Sequence, residues 1–182
     1  RPVEISAMVV EILRSAMSRE VVPLGSAFPS PLLFPLERLG RVLAGVATQM
    51  DPWSTVDELT PGHLGLRRQI ALRYILDGVQ LDADDILVTN GAMEALNLCL
   101  SATCRPGDAV AVESPCFYAC LQALERLGLR AIEVATDPRE GIDLAALEKV
   151  IVRHKPAACW VMTNFQNPLG SAMPEAKKRA LV

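Results

Sequence analysis

Three short stretches of this sequence combine residue types that can hold an anion, a flat ring and a polar oxygen. Thr89-Asn90-Gly91-Ala92 leads through a glycine into an expected helix. The N–H groups at a helix N-terminus, together with the positive end of its dipole, form a site for phosphate or carboxylate. Gly91 lets an anion approach the backbone closely, and Ala92 and Met93 offer their N–H groups. The run is neither a GxxxxGK(S/T) loop nor a GxGxxG loop. In Glu113-Ser114-Pro115-Cys116-Phe117-Tyr118, an aromatic face at the start of a helix can stack on a flat heterocycle. In Thr163-Asn164-Phe165-Gln166-Asn167-Pro168-Leu169-Gly170, side-chain amides crowd a strand end. Pro168 forces Asn167 out of helical geometry and can hold its amide rigidly. A neutral amide can donate to a phenolate oxygen without a change of charge. Each stretch alone is also ordinary: a tight turn, a core aromatic, an Asn-Pro-x-Gly turn. The three together carry the reading.

These stretches are useful only if the fold brings them side by side. After Gly62 the sequence alternates between helices and short apolar strands. The spacing predicts helices over 66–76, 92–103, 117–127 and 144–154, the last capped by Asp143. It predicts strands over 86–89, 109–113, 130–134 and 157–163. Strands apolar on both faces imply an α/β fold in three layers, a mostly parallel sheet flanked by helices. In such sheets ligands sit beyond the carboxyl ends of the strands, where all three stretches fall. Upstream, apolar spacing predicts helices over 3–17 and 34–48. Pro23, Pro29, Pro31 and Pro35 imply an extended run between them. The expected organisation is an arm with linker helices over 1–50 and the first part of a larger domain over 51–182.

Composition excludes several classes of protein. The 182 residues are 51% apolar and 21% charged, with Lys+Arg 18 against Asp+Glu 21, which rules out a disordered chain. The near-balance of charge leaves no footprint for nucleic acid. The longest apolar run, 157–162, is far too short to cross a membrane. Five cysteines without a CxxC pair, and histidines only at His63 and His154, argue against a disulfide framework or a zinc site. A reducing, cytoplasmic setting fits these thiols. Beginning at Arg1 and ending within a helical pattern, the sequence reads as a piece of a longer protein.

The ordered set Gly62-x-x-x-Leu66-Arg67, Thr89-Asn90-Gly91-Ala92-Met93-Glu94-Ala95-Leu96, Pro106-Gly107-Asp108, Glu113-Ser114-Pro115-Cys116-Phe117-Tyr118 and Asn167-Pro168-Leu169-Gly170 resembles the landmarks of fold-type I, pyridoxal-phosphate-dependent aminotransferases of class I and II. Within that group, Leu24-Gly25-Ser26-Ala27-Phe28-Pro29-Ser30-Pro31 and Thr163-Asn164-Phe165-Gln166 resemble the MocR branch of the GntR-type transcriptional regulators. These join a winged-helix DNA-binding domain to an aminotransferase-like domain.

The resemblance implies pyridoxal 5'-phosphate as cofactor. The Gly91, Ala92 and Met93 backbone would hold its phosphate, Phe117 would lie on its ring and Asn167 would bond its ring hydroxyl oxygen. Gly25 would approach a substrate carboxylate. It further implies a homodimer, an amino compound or the cofactor itself as effector, and DNA contacted through a domain outside these residues. The family's cofactor-anchoring lysine, ring-nitrogen aspartate and substrate-carboxylate arginine have no counterpart here. Lys149, Lys155, Lys177 and Lys178 stand in the wrong contexts, and 51–61 lacks the family's usual tyrosine. Catalysis by these residues alone is therefore not expected. Two other readings stay open: part of a free-standing aminotransferase, or a generic nucleotide-binding doubly wound domain.

Overall fold

The computed structural model describes residues 29–53 and 61–182, with isolated positions between 9 and 22. Its helices are α1 (Leu36–Ala47), α2 (Leu64–Leu76), α3 (Ala92–Thr103), α4 (Tyr118–Arg126), α5 (Leu144–His154) and α6 (Glu175–Leu181). Its strands are β1 (Ala109–Ser114), β2 (Arg130–Asp137), β3 (Gly141–Ile142) and β4 (Ala158–Trp160). Contacts group residues 28–92 into one unit and residues 93–182, with the described residues before 28, into another.

The unit holding 93–182 is built on a four-stranded sheet in the order β3-β2-β1-β4. β1 pairs in parallel with β2 from Ala109↔Arg130 to Ser114↔Ala135. On its other side β1 pairs in parallel with β4, from Val110↔Ala158 to Val112↔Trp160. Only the two-residue β3 runs antiparallel, against the end of β2. β1 is central and buried because apolar side chains leave it on both faces. Val110 and Val112 pack with Leu100 of α3 and Cys120, Ala123 and Leu124 of α4. Ala111 points the other way, into a cluster with Val134, Ile142, Leu147 of α5 and Met173. Helices thus cover both faces, which makes the expected three layers.

Local signals set the helix ends. Asp143 Oδ1 accepts from Ala145 N at 2.9 Å and Ala146 N at 3.1 Å, capping α5. Lys155 closes that helix in the left-handed region, at φ +45°. The short Arg105–Asp108 turn returns the chain from α3 to β1, with Arg105 N donating to Asp108 Oδ2 at 2.8 Å. α3 therefore runs back along the strand against which Leu100 packs.

In the unit of residues 28–92, His63 Nδ1 accepts from Leu66 N at 3.3 Å at the start of α2. Arg67 is 7% exposed. Its guanidinium donates to Ala83 O at 2.7 Å, Asp84 Oδ1 at 3.1 Å and Gly62 O at 3.1 Å. One buried arginine thereby closes the loop on either side of α2.

Several expectations need correction. Residues 86–89 are extended but form no strand. Val88 N donates to Pro61 O at 2.9 Å, and no neighbouring strand pairs with them among the described residues. β-branched side chains favour extension, but a strand also needs a ladder partner. The 157–163 strand is shorter, Ala158–Trp160, because beyond it Met162 N–H donates to the Glu113 side chain instead of to the β1 main chain. The proline-rich run is not extended throughout: Pro31–Leu33 makes a 3-10 turn whose N-cap, Ser30, accepts from Leu32 N. The 34–48 helix appears as α1, but Leu36, Leu39, Val42, Leu43 and Val46 are exposed. Most of 3–17 and of the 51–61 connection lies outside the described residues.

Candidate functional site

The second and third chemical stretches leave neighbouring strands. β1 ends at Ser114, whose N–H donates to Thr136 Oγ1 at 3.2 Å, and the chain turns through a cis Ser114–Pro115 bond to Phe117. Phe117 is the last residue before α4 and is half-buried. Its ring centroid stands 4.8 Å from that of Tyr118, the planes tilted by 54°. The third stretch leaves β4, passes Phe165 in the left-handed region at φ +51°, and turns through a cis Asn167–Pro168 bond. Asn167 is half-buried, and its side-chain amide makes no hydrogen bond to the described residues.

Gln166 joins these two stretches. Its Nε2 donates to Pro115 O at 2.8 Å, and its Oε1 accepts from Leu169 N at 2.9 Å. Below it lies Glu113, 1% exposed, whose Oε2 accepts from Met162 N at 3.0 Å. Burial pushes the Glu113 carboxyl above the usual carboxylate range, against the opposing pull of the Met162 N–H and the Gln166 amide. Its Oε1 makes no hydrogen bond of ordinary geometry. Glu113 and Gln166 fall within the chemical stretches of the sequence, but nothing there gives either a role of its own. Polar residues at a strand end read as solvated, and only the fold shows both to be buried.

The first stretch divides between the two units. Gly91 and Ala92 close the unit of residues 28–92, and Met93 opens the other. Gly91 is exposed with φ +95°, and a Cβ added there would meet nothing within 4 Å. Its carbonyl accepts from Thr89 Oγ1 at 3.1 Å, which shapes the turn into α3. An open backbone at a helix start suits the oxygens of an anion. Phe117 offers an apolar face, and Asn167 a neutral amide with both donor and acceptor. The Gln166 bond to Pro115 O thus draws together the stretches that carry Phe117 and Asn167. Gly25 lies outside the described residues.

Other chemistries find less support. No group of three His, Cys, Asp or Glu able to hold a metal occurs among the described residues. All five cysteines are free thiols. Burial holds the Cys120 thiol up at about 12, with Cys116 adding to the shift. Cys116 and Cys159 are also raised, chiefly by burial. Such thiols are poor nucleophiles and poor metal ligands. No helix among the described residues is long and apolar enough to cross a membrane.

Residues 58–182 match the family described as Aminotransferase class I and II. The chain is 50% identical over 180 residues to the uncharacterized HTH-type transcriptional regulator YdcR of Escherichia coli strain K12, covering 99% of this chain and 38% of the relative. It is 38% identical to a second such regulator from that strain, YjiR, covering 100% of this chain and 39% of the relative. The chain thus spans well under half the length of these relatives. Among solved structures it is similar to the alpha-aminoadipate aminotransferase LysN of Thermus thermophilus, crystallised with N-(5'-phosphopyridoxyl)-L-leucine. That match has 29% identity and a TM-score of 0.75, over 86% of this chain and 39% of the other.

Proposed function

Because the chain belongs to the class I and II aminotransferase family, we propose that it is the pyridoxal-phosphate-binding, aminotransferase-like effector domain of a MocR-type, GntR-family DNA-binding regulator. The observation that carries this reading is the junction of the Phe117 and Asn167 stretches through Gln166 Nε2 and Pro115 O, at 2.8 Å. It ties together the two stretches that carry an aromatic face and an uncommitted amide, which supports their acting on one ligand. The regulatory half of the reading is supported by 50% identity along 99% of the chain to an HTH-type regulator.

Each stretch, taken by itself, offers a group that suits one part of the cofactor. Gly91, at φ +95° with open space over its Cα, lets phosphate oxygens reach the backbone of Gly91, Ala92 and Met93. Phe117 would lie on one ring face, where an aromatic side chain adds dispersion without charge. Asn167 would donate from Nδ2 to the ring hydroxyl oxygen, favouring its anionic form while staying neutral itself. Pyridoxal phosphate, when bound, supplies an electron-withdrawing ring that stabilises charge developing on an amino compound. The protein's part is to orient that ring and keep its oxygen hydrogen-bonded. A homodimer, an amino-compound effector and a cytoplasmic setting belong to the same proposal, as does DNA contact through a separate winged-helix domain.

A free-standing aminotransferase is the second reading, favoured by the likeness to LysN. Full-length protein titrated with pyridoxal phosphate separates the two. A regulator gives a saturable visible absorbance band, and its affinity for DNA from upstream of its own gene changes with cofactor or amino compound. An enzyme gives the band and turnover of an amino donor, with no DNA binding. No band at all contradicts both.

A further inference from the structure

The β1–β4 ladder stops at Val112↔Trp160, before either ligand-facing stretch begins. Beyond it, no main-chain hydrogen bond joins residues 114–118 to residues 161–170 among the described residues. Two side chains bridge the gap. Glu113 Oε2 holds Met162 N, and Gln166 Nε2 holds Pro115 O across 51 residues of sequence. Gln166 is also tied into its own turn through Oε1 and Leu169 N, and through its backbone N–H to Ser171 O at 3.0 Å. It is 1% exposed, whereas its neighbour Phe165 is 83% exposed and holds a left-handed φ. That conformation is costly for a residue with a side chain, so something must hold it. The buried amide of the next residue provides the anchor. Being inaccessible, Gln166 cannot itself touch a ring held by Phe117 and Asn167.

We propose that Gln166 is the positioning residue that sets Asn167 against Phe117, its side-chain amide bridging Pro115 O and Leu169 N–H beneath the ligand-facing surface. This rests on the cofactor reading above. A glutamine suits the task, because a carboxylate could accept from Leu169 but could not donate to Pro115. An apolar residue could do neither.

The test uses full-length protein carrying Gln166→Glu, Gln166→Met or Asn167→Ala, titrated with pyridoxal phosphate, with melting temperature recorded alongside. Gln166→Glu keeps the acceptor and loses the donor. Gln166→Met avoids burying a charge, should the first variant fold poorly. At saturating cofactor, both Gln166 variants are expected to shift the visible band in the direction seen for Asn167→Ala. Each should weaken affinity about two- to tenfold, the scale of one hydrogen bond. Adding Asn167→Ala to either is expected to give less than the product of the separate effects. Lowered melting temperature with an unshifted band at saturation overturns the proposal and leaves Gln166 a merely structural residue. Full additivity in the double variant also overturns it. If the wild-type protein shows no band, the cofactor reading fails and the proposal falls with it. If Asn167→Ala moves the band and the Gln166 variants do not, only the proposal fails.

Discussion

The carboxyl of Glu113, next to last in β1, accepts a hydrogen bond from the main-chain N–H of Met162 at 3.0 Å, just past the end of β4. A group that is 1% exposed is thereby set at the base of the candidate site, and its surroundings favour the protonated form.

That preference has a definite sign in stability. The folded pKa of Glu113 is raised, so the native state keeps a proton that the unfolded chain releases above about pH 4.3. The stabilisation is fully present below the unfolded pKa and is lost as pH rises through the folded one. Cys116 and Cys159, which feel the same charge, remain thiols in that range because their own pKa values are raised. Glu113→Gln keeps an acceptor for Met162 N–H and cannot ionise. Its melting temperature is expected to gain on wild type as pH rises from about 5 to about 8. Parallel melting curves across that range would show that Glu113 does not titrate as stated.

Gly62 tests the packing of the other unit. It has φ +106°, and an added Cβ would stand 2.7 Å from Val88 Cβ. Gly62→Ala should destabilise by more than the roughly 1 kcal/mol of an unfavourable φ alone. Val88→Ala should not rescue it, since the nearest clashing atom is the Val88 Cβ itself. Thermal melts of the single and double variants decide this, and rescue by Val88→Ala would contradict the geometry.

Gly91 differs in kind. Its φ is +95°, but a Cβ there meets nothing within 4 Å. Gly91→Ala should cost about 1 kcal/mol through backbone strain, and should weaken pyridoxal phosphate through the altered phosphate cradle. Affinity for pyridoxal, which lacks the phosphate, should change less. Equal losses for the two ligands would remove the phosphate from this loop.

Much of the fold is legible in the sequence itself. The spacing over 92–103 and 144–154 corresponds to α3 and α5 residue for residue, because amphipathic periodicity and the Asp143 cap are local signals. Residues 86–89 mislead because their extended preference is local and the pairing that makes a strand is not. β3 is too short for any period to show. The buried placement of Glu113 and Gln166 goes unread for a related reason. Their burial arises only when β1 and β4 lie side by side, which no spacing along the chain reveals. The positions of Phe117 and Asn167 after β1 and β4 are legible because apolar runs and the prolines that follow them are local signals.

The most direct measurement is a spectroscopic titration of full-length wild-type and Asn167→Ala protein with pyridoxal phosphate. A saturable visible band is expected in the wild type. The variant should show a displaced band and affinity about two- to tenfold weaker, one net hydrogen bond's worth. Superimposable spectra and equal affinities would contradict the claim that Asn167 holds the ring oxygen.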